Sequence, residues 1–297
     1  MTRFVPVPNA ASADIPPPGI DLRRRRNEFV TLRRRGVFAL AAACALVAGL
    51  GTSPAVADDT LAAIKARGAM TVGVKADYPP FGFLQGDKNA GLEIDLLRDI
   101  AKDMLGKPDA ITFVPVVSAN RFQFLNTGKV DFLFSTVTIT PQRQTIVDFS
   151  TPYMKSGWSV LIPKQNMAIK DASDLAGKTV VVVPGSTGEA GLSKLVPSAN
   201  LLKLTQTSEA LQALDQGRAD AFVQDAALFA GITQPADTKY KVVGKTYDDA
   251  PIGAACRKGE HAACDYIATE IAKFSKDGTL ARAYKKWLGD QAATFLP

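Results

Sequence analysis

The stretch "FSTVTITPQR" (134–143) puts hydroxyls at Ser135, Thr136, Thr138 and Thr140 along an apolar run, then a proline and Arg143. A guanidinium takes a carboxylate with two parallel hydrogen bonds, and hydroxyls at a strand end add donors or acceptors. The competing reading is structural: Arg143 pairs with Asp148, and the threonines serve β propensity. A second candidate is "PGSTGE" (184–189), between an apolar run and a helical pattern. Gly185 permits a tight turn, and Ser186 and Thr187 can cap the helix, leaving N–H groups for an anion. No GKS or GKT follows, so a phosphate loop is not indicated. His261 is the only histidine, so no Ser-His, Cys-His or metal-ligand set can be assembled, and no cofactor is expected.

The elements that would position these groups alternate between strand and helix from about residue 60. "AMTVGVKA" reads as a strand, "GLEIDLLRDIAKDML" as a helix with apolar residues four apart, and "AITFVPVV" and "VDFLFSTVT" as strands. After "FSTPY" a second series begins: strand "WSVLIPK", strand "KTVVVVPGS", two helices, strand "ADAFVQD", strand "IGAACRKG" and two closing helices. Such alternation predicts an α/β protein with mainly parallel sheets in two lobes.

The chain has 297 residues and a net charge of +6, and the charge is a property of its start. Residues 1–57 hold eight arginines, no lysine and three acids; without them, 27 basic residues face 26 acidic ones. The body is nearly neutral, which argues against nucleic acid as a partner. Arg33–Arg35, the apolar run 37–51 and "AVA" (55–57) read as an export signal cleaved after Ala57, behind a Pro- and Arg-rich segment, 1–32. The loose Arg34-Arg35 pair leaves Sec or Tat export open. Export implies a periplasmic location and oxidising conditions, so Cys256 and Cys264 in "CRKGEHAAC" are expected to form a disulfide.

"GLEIDLLRDIAKDM" (91–104) resembles the helix signature of the polar amino-acid-binding proteins that serve ABC transporters, family 3 of the periplasmic solute-binding proteins. Further pieces stand in the family's order: "ADYPPFGF" (76–83), "GKVDFLFSTVTITPQRQTIVDFSTPY" (128–153), "LAGKTVVVVPGSTGE" (175–189), "GRADAFVQD" (217–225) and "DGTLARAYKKW" (277–287). The resemblance implies a two-lobed periplasmic binding fold of type II, two mixed, mainly parallel sheets joined by a two-strand hinge. The expected division is 58–155 plus 250–297 for one lobe and 156–249 for the other.

The resemblance also implies site roles. Arg143, Thr138, Ser186 and Thr187 would hold the ligand's α-carboxylate, and Asp225 with Thr136 its α-ammonium; Asp220 is the structural alternative to Asp225. Lys75, Arg121, Tyr78 and Ser135 would face the side chain. Relatives that bind cationic amino acids carry an acid where Lys75 stands, and Arg121 in "SANR" matches an arginine of aspartate and glutamate binders. Two converging cations would complement a second carboxylate. The expected ligand is therefore aspartate or glutamate, delivered by a monomer to membrane permease subunits. Two alternatives stay open: glutamine or an organic acid as ligand, or a cyclohexadienyl dehydratase-like enzyme using Asp225 or Glu189 as acid.

Overall fold

A computed structural model describes residues 60–297; the expected signal segment and its cleavage point lie outside the described residues. Helix α1 (Thr60–Arg67) leads into β1 (Met70–Val74), and a small antiparallel meander follows: β2 (Asp77–Tyr78), β3 (Gly82–Gln85) and β4 (Lys88–Ala90). Then come α2 (Leu92–Leu105), β5 (Ile111–Pro115), α3 (Arg121–Asn126), β6 (Phe132–Thr138), α4 (Pro141–Gln144) and β7 (Val147–Phe149). In α2, Leu92, Leu96, Leu97 and Ile100 form one buried face, and Glu93 and Asp95 in the first turn suit the positive end of the helix dipole. Gly106 closes it in the left-handed region, φ 74°.

Strand β8 (Met154–Pro163) opens the second series: β9 (Thr179–Val182), α5 (Thr187–Leu195), β10 (Asn200–Lys203), α6 (Thr207–Asp215), β11 (Ala221–Asp225) and α7 (Ala226–Thr233). The chain returns along β12 (Tyr240–Arg257) and ends in α8 (His261–Lys276), α9 (Thr279–Leu288) and α10 (Ala292–Phe295).

The strands run in the order β10-β9-β11-β8-β12-β6-β1-β5, with β7 also on β12. One flank, β10-β9-β11, is parallel, and so is the other, β6-β1-β5. The antiparallel pair β8 and β12 lies between them and carries the chain from one lobe to the other and back. The hydrogen-bond ladder therefore continues through the hinge. The parallel strands bury both faces: all seven residues of β6 are buried, as are all five of β11. Such strands need helices on each side, which the alternating sequence supplies.

Cys256, near the end of β12, and Cys264, in the first turns of α8, are joined by a disulfide. The polar segment 240–250, to which the sequence reading gave no strand, is the first half of β12. Its alternating exposure shows why it escaped: it pairs with β8 along one edge while many of its side chains face solvent.

Candidate functional site

The chemistry-bearing residues gather where the parallel strands end. Lys75 directly follows β1, Ser118 and Arg121 follow β5, Thr136 and Thr138 close β6, Ser186 and Thr187 follow β9, and Asp225 closes β11. Carboxyl ends of strands, at the point where a sheet's order reverses, are where open α/β folds place ligands. Tyr78, Ser118, Arg121, Thr136, Thr138, Arg143, Ser186, Thr187, Gln224 and Asp225 line one small cavity of about 10 Å³. That volume is about one water's worth, because side chains from opposite sides of the cleft meet inside it.

Two contacts close the cleft. The Arg143 guanidinium donates to the Thr138 carbonyl at 2.9 Å and, from the other nitrogen, to the Gly185 carbonyl across the cleft at 3.0 Å. Gly185 has φ 78°, and a Cβ there would lie 3.0 Å from the Ser118 carbonyl oxygen, so only glycine fits this approach. The Tyr78 hydroxyl donates to the Asp225 carboxylate at 2.6 Å. Burial pushes the Asp225 carboxyl up, and the Tyr78 hydrogen bond and the charge of Arg121 pull it back. Arg143 does not pair with Asp148; that carboxylate holds Lys258 at 2.6 Å and the Gly259 N–H.

The second-lobe turn is built from its own polar groups. Ser186 Oγ accepts the Glu189 N–H as helix cap, and the Glu189 carboxylate accepts the Gly185 N–H and pairs with Lys203 at 3.0 Å. Ser186 donates its own N–H to the Val183 carbonyl, so that group is spent within the turn. Asp220 accepts the Thr179 N–H at the start of β11's lead-in, away from the cavity.

The remaining cations are buried, not solvated. Lys75 is 6% exposed and donates to Ser118 Oγ at 2.9 Å; burial first, then the charge of Arg121, bring its pKa down to about 7. Arg121 is 2% exposed and donates to the Ser135 carbonyl at 2.8 Å; burial, then Arg143, lower it to about 9. Lys75 and Tyr78 also line an adjoining cavity of about 210 Å³, walled by Pro115–Val117, Asn120, Val183 and Thr205–Thr207.

One expectation needs correction, one residue stands one cavity away, and one residue was missed. Ser135 does not line the small cavity: its hydroxyl is fully buried without a hydrogen-bond partner, and its carbonyl is what serves the site, through Arg121. Lys75 stands in the adjoining cavity and not among the residues lining the small one. Glu93 was read only as part of the helix signature. Fully buried, it accepts the Thr136 N–H at 2.7 Å and the Tyr153 hydroxyl, and burial pushes its pKa up to about 7. Thr136 has φ 50°, a costly conformation for a β-branched residue. The bond from Glu93 and the clasp of Arg121 on the 135 and 136 carbonyls hold it there.

Residues 70–290 match the family model of the bacterial extracellular solute-binding proteins, family 3. The chain belongs to that family. It is an amino-acid ABC transporter substrate-binding protein. It is 35% identical to the ABC transporter glutamine-binding protein GlnH of Bacillus subtilis over 238 residues, 79% of this chain and 86% of that one. It is 30% identical to the glutamate/aspartate import solute-binding protein of Salmonella typhimurium, covering 82% and 86%. Among solved structures, a solute receptor for L-cysteine of Neisseria gonorrhoeae superposes with a TM-score of 0.73 at 38% identity, over 77% of this chain and 93% of that one. Members of this family work outside the membrane, and among the described residues no helix is long and apolar enough to cross one.

Proposed function

We propose that this solute-binding protein captures an acidic amino acid, glutamate or aspartate, in its interlobe cleft and presents it to a membrane permease from the periplasm. The observation that carries the reading is the charge balance of the cleft. Three cations, Arg121 and Arg143 on the wall of the small cavity and Lys75 in the adjoining one, stand within electrostatic reach of two carboxylates, Asp225 and the buried Glu93. A ligand with one net negative charge neutralises that surplus; a cationic amino acid increases it, at low effective dielectric. Arg143 and the first turn of α5 take the α-carboxylate, Asp225 takes the α-ammonium in place of the Tyr78 hydroxyl, and Lys75 and Arg121 take the side-chain carboxylate. The small cavity is far below the size of an amino acid, so binding entails separating Tyr78 from Asp225 and Arg143 from Gly185, with closure afterwards around the ligand. The lobes in this reading are 58–155 with 250–297, and 156–249.

Glutamine is the second reading, supported by the Bacillus relative and by Ser118 and Gln224, neutral polar side chains on the cavity wall. Of the two acids the dehydratase reading offers, Glu189 is engaged with Gly185 and Lys203 outside the cavity wall, which leaves that reading to Asp225 alone. A thermal-shift panel of the common amino acids and prephenate decides between the three, because a ligand that binds only the native state raises the Tm by mass action. The largest shift is expected with glutamate or aspartate. A largest shift with lysine or arginine would refute the charge argument.

A further inference from the structure

The segment 77–80, between β1 and the rest of the meander, reaches three separate elements of the facing lobe. Tyr78 meets Asp225 at the end of β11. Pro79 and Pro80 press on Gly231 of α7, where a Cβ would stand 2.4 Å from the Pro80 ring. Asp77, which is absent from the wall of the small cavity and borders the adjoining one, turns its carboxylate onto the start of α6: one oxygen accepts both the Ser208 N–H at 2.9 Å and the Ser208 hydroxyl at 2.8 Å.

That last contact fills a need of α6 itself. Its first N–H groups have no partner within the helix. Its N-cap residue Gln206 forms a capping box with Glu209, the Gln206 side chain facing the Glu209 N–H and the Glu209 carboxylate accepting the Gln206 N–H, which leaves the Ser208 N–H for an acceptor from outside the helix. An acidic group at a helix N-terminus also gains from the helix dipole. Helix α6 packs on β11 and β8, so it belongs to the lobe opposite β1. The acceptor for its second N–H thus comes from the other lobe, and it is in place only when the lobes are together.

We propose that Asp77 is a positioning residue for ligand retention: it caps α6 across the cleft, favours the closed arrangement, and slows ligand escape without touching the ligand. This rests on the ligand-binding reading of the cleft for its effect on escape, but not for its effect on closure. Opening the lobes removes the acceptor of the Ser208 N–H and hydroxyl, so Asp77 acts on the open–closed equilibrium and equally on every ligand the cleft accepts. Loss of one cap corresponds to about a fivefold change in that equilibrium.

The test uses Asp77→Ala, Ser208→Ala and the double variant in the full chain, with L-glutamate as probe and L-glutamine as a second. Stopped-flow binding should show dissociation from Asp77→Ala faster by about fivefold, association within a factor of about two of wild type, in line with the habit of interface changes to act on escape, and an unchanged glutamate-to-glutamine affinity ratio. Ser208→Ala, which keeps the N–H, should lose less, and the double variant no more than Asp77→Ala. Small-angle scattering without added ligand should show a larger radius of gyration for Asp77→Ala at an unchanged circular dichroism spectrum. Unchanged dissociation with an unchanged scattering curve overturns the proposal. A variant that alters the affinity ratio also overturns it, because Asp77 would then be reading the ligand. Should neither probe bind wild type, the ligand reading fails while the scattering comparison still decides on the clasp.

Discussion

The pH dependence of binding offers the sharpest examination of the cleft, through Lys75. Its ammonium is enclosed by protein, and burial with the charge of Arg121 holds its pKa at about 7. A ligand carboxylate set beside it favours the charged form and raises that pKa. Binding therefore takes up a proton at any pH above about 7. The unbound protein carries a neutral amine there, and each further pH unit removes about 1.36 kcal/mol from binding. Half of the lysine is already neutral at pH 7, so between pH 7 and 8.5 glutamate affinity should fall by about 1.7 kcal/mol, roughly sixteenfold, and level off below about pH 6. Neighbouring groups titrate too. Arg121, at about 9, keeps most of its charge in this window, while Glu93, at about 7, loses its proton, reduces the positive surplus and adds to the fall. Lys75→Met isolates the lysine, since those neighbours remain. Calorimetry at pH 6.5, 7.5 and 8.5, in buffers of different ionisation enthalpy, counts the protons directly. Wild type should take up nearly one proton at pH 8.5 and the variant should not. Equal slopes in the two proteins would show that Lys75 does not meet the ligand's charge.

Three further outcomes are expected. Arg143→Ala should weaken glutamate binding by roughly 2–5 kcal/mol, because a buried carboxylate loses its charged partner; retained micromolar affinity in calorimetry would contradict the assignment. Glu93→Gln should gain stability relative to wild type as pH rises from 4.5 to 7. The buried Glu93 carboxyl titrates at about 7 in the fold and at its ordinary 4.5 unfolded, so its favourable contribution is whole at low pH and lost through that interval; melting curves that stay parallel across this range would refute it. Replacing Cys256 and Cys264 by serine frees a short loop, eight residues apart in sequence, and should destabilise by roughly 2–3 kcal/mol in denaturant titrations. A reduced wild type as stable as the oxidised one would argue otherwise.

Much of this architecture is legible in the chain because local and global signals agree. The buried face of α2, the all-apolar run of β9 and the glycine-ended helices follow from spacing and composition alone. The gathering of the candidate residues was legible through order: hydroxyls and Arg143 at the end of one parallel strand, a capped turn at the end of another and Asp225 at the end of a third line one cavity because parallel strands end on one side. What escaped were features set by tertiary contact. The first half of β12 is polar and reads as loop, yet β8 pairs with it. Glu93 looks like any acid in a helix's first turn; only the packing of Tyr153 and the left-handed Thr136 make it a buried strut. Ser135 alternates with the threonines in sequence, but the irregular backbone at Thr136 turns its hydroxyl into protein.

The register between β8 and β12 slips twice, between Val243 and Tyr247 and between Tyr247 and Ala250. Opposite these slips sits Gly157, where a Cβ would fall 2.2 Å from the Tyr247 carbonyl oxygen. A ribbon bends with least loss where its rungs are already missing. A swing of the two halves is therefore expected to concentrate at a few residues around 157 and 247, where the rings of Trp158 and Tyr247 stack with centroids 4.2 Å apart. The remaining sheet can stay stiff while the molecule opens, so a fluorescent change of that tryptophan would report the motion from the axle rather than from the jaws.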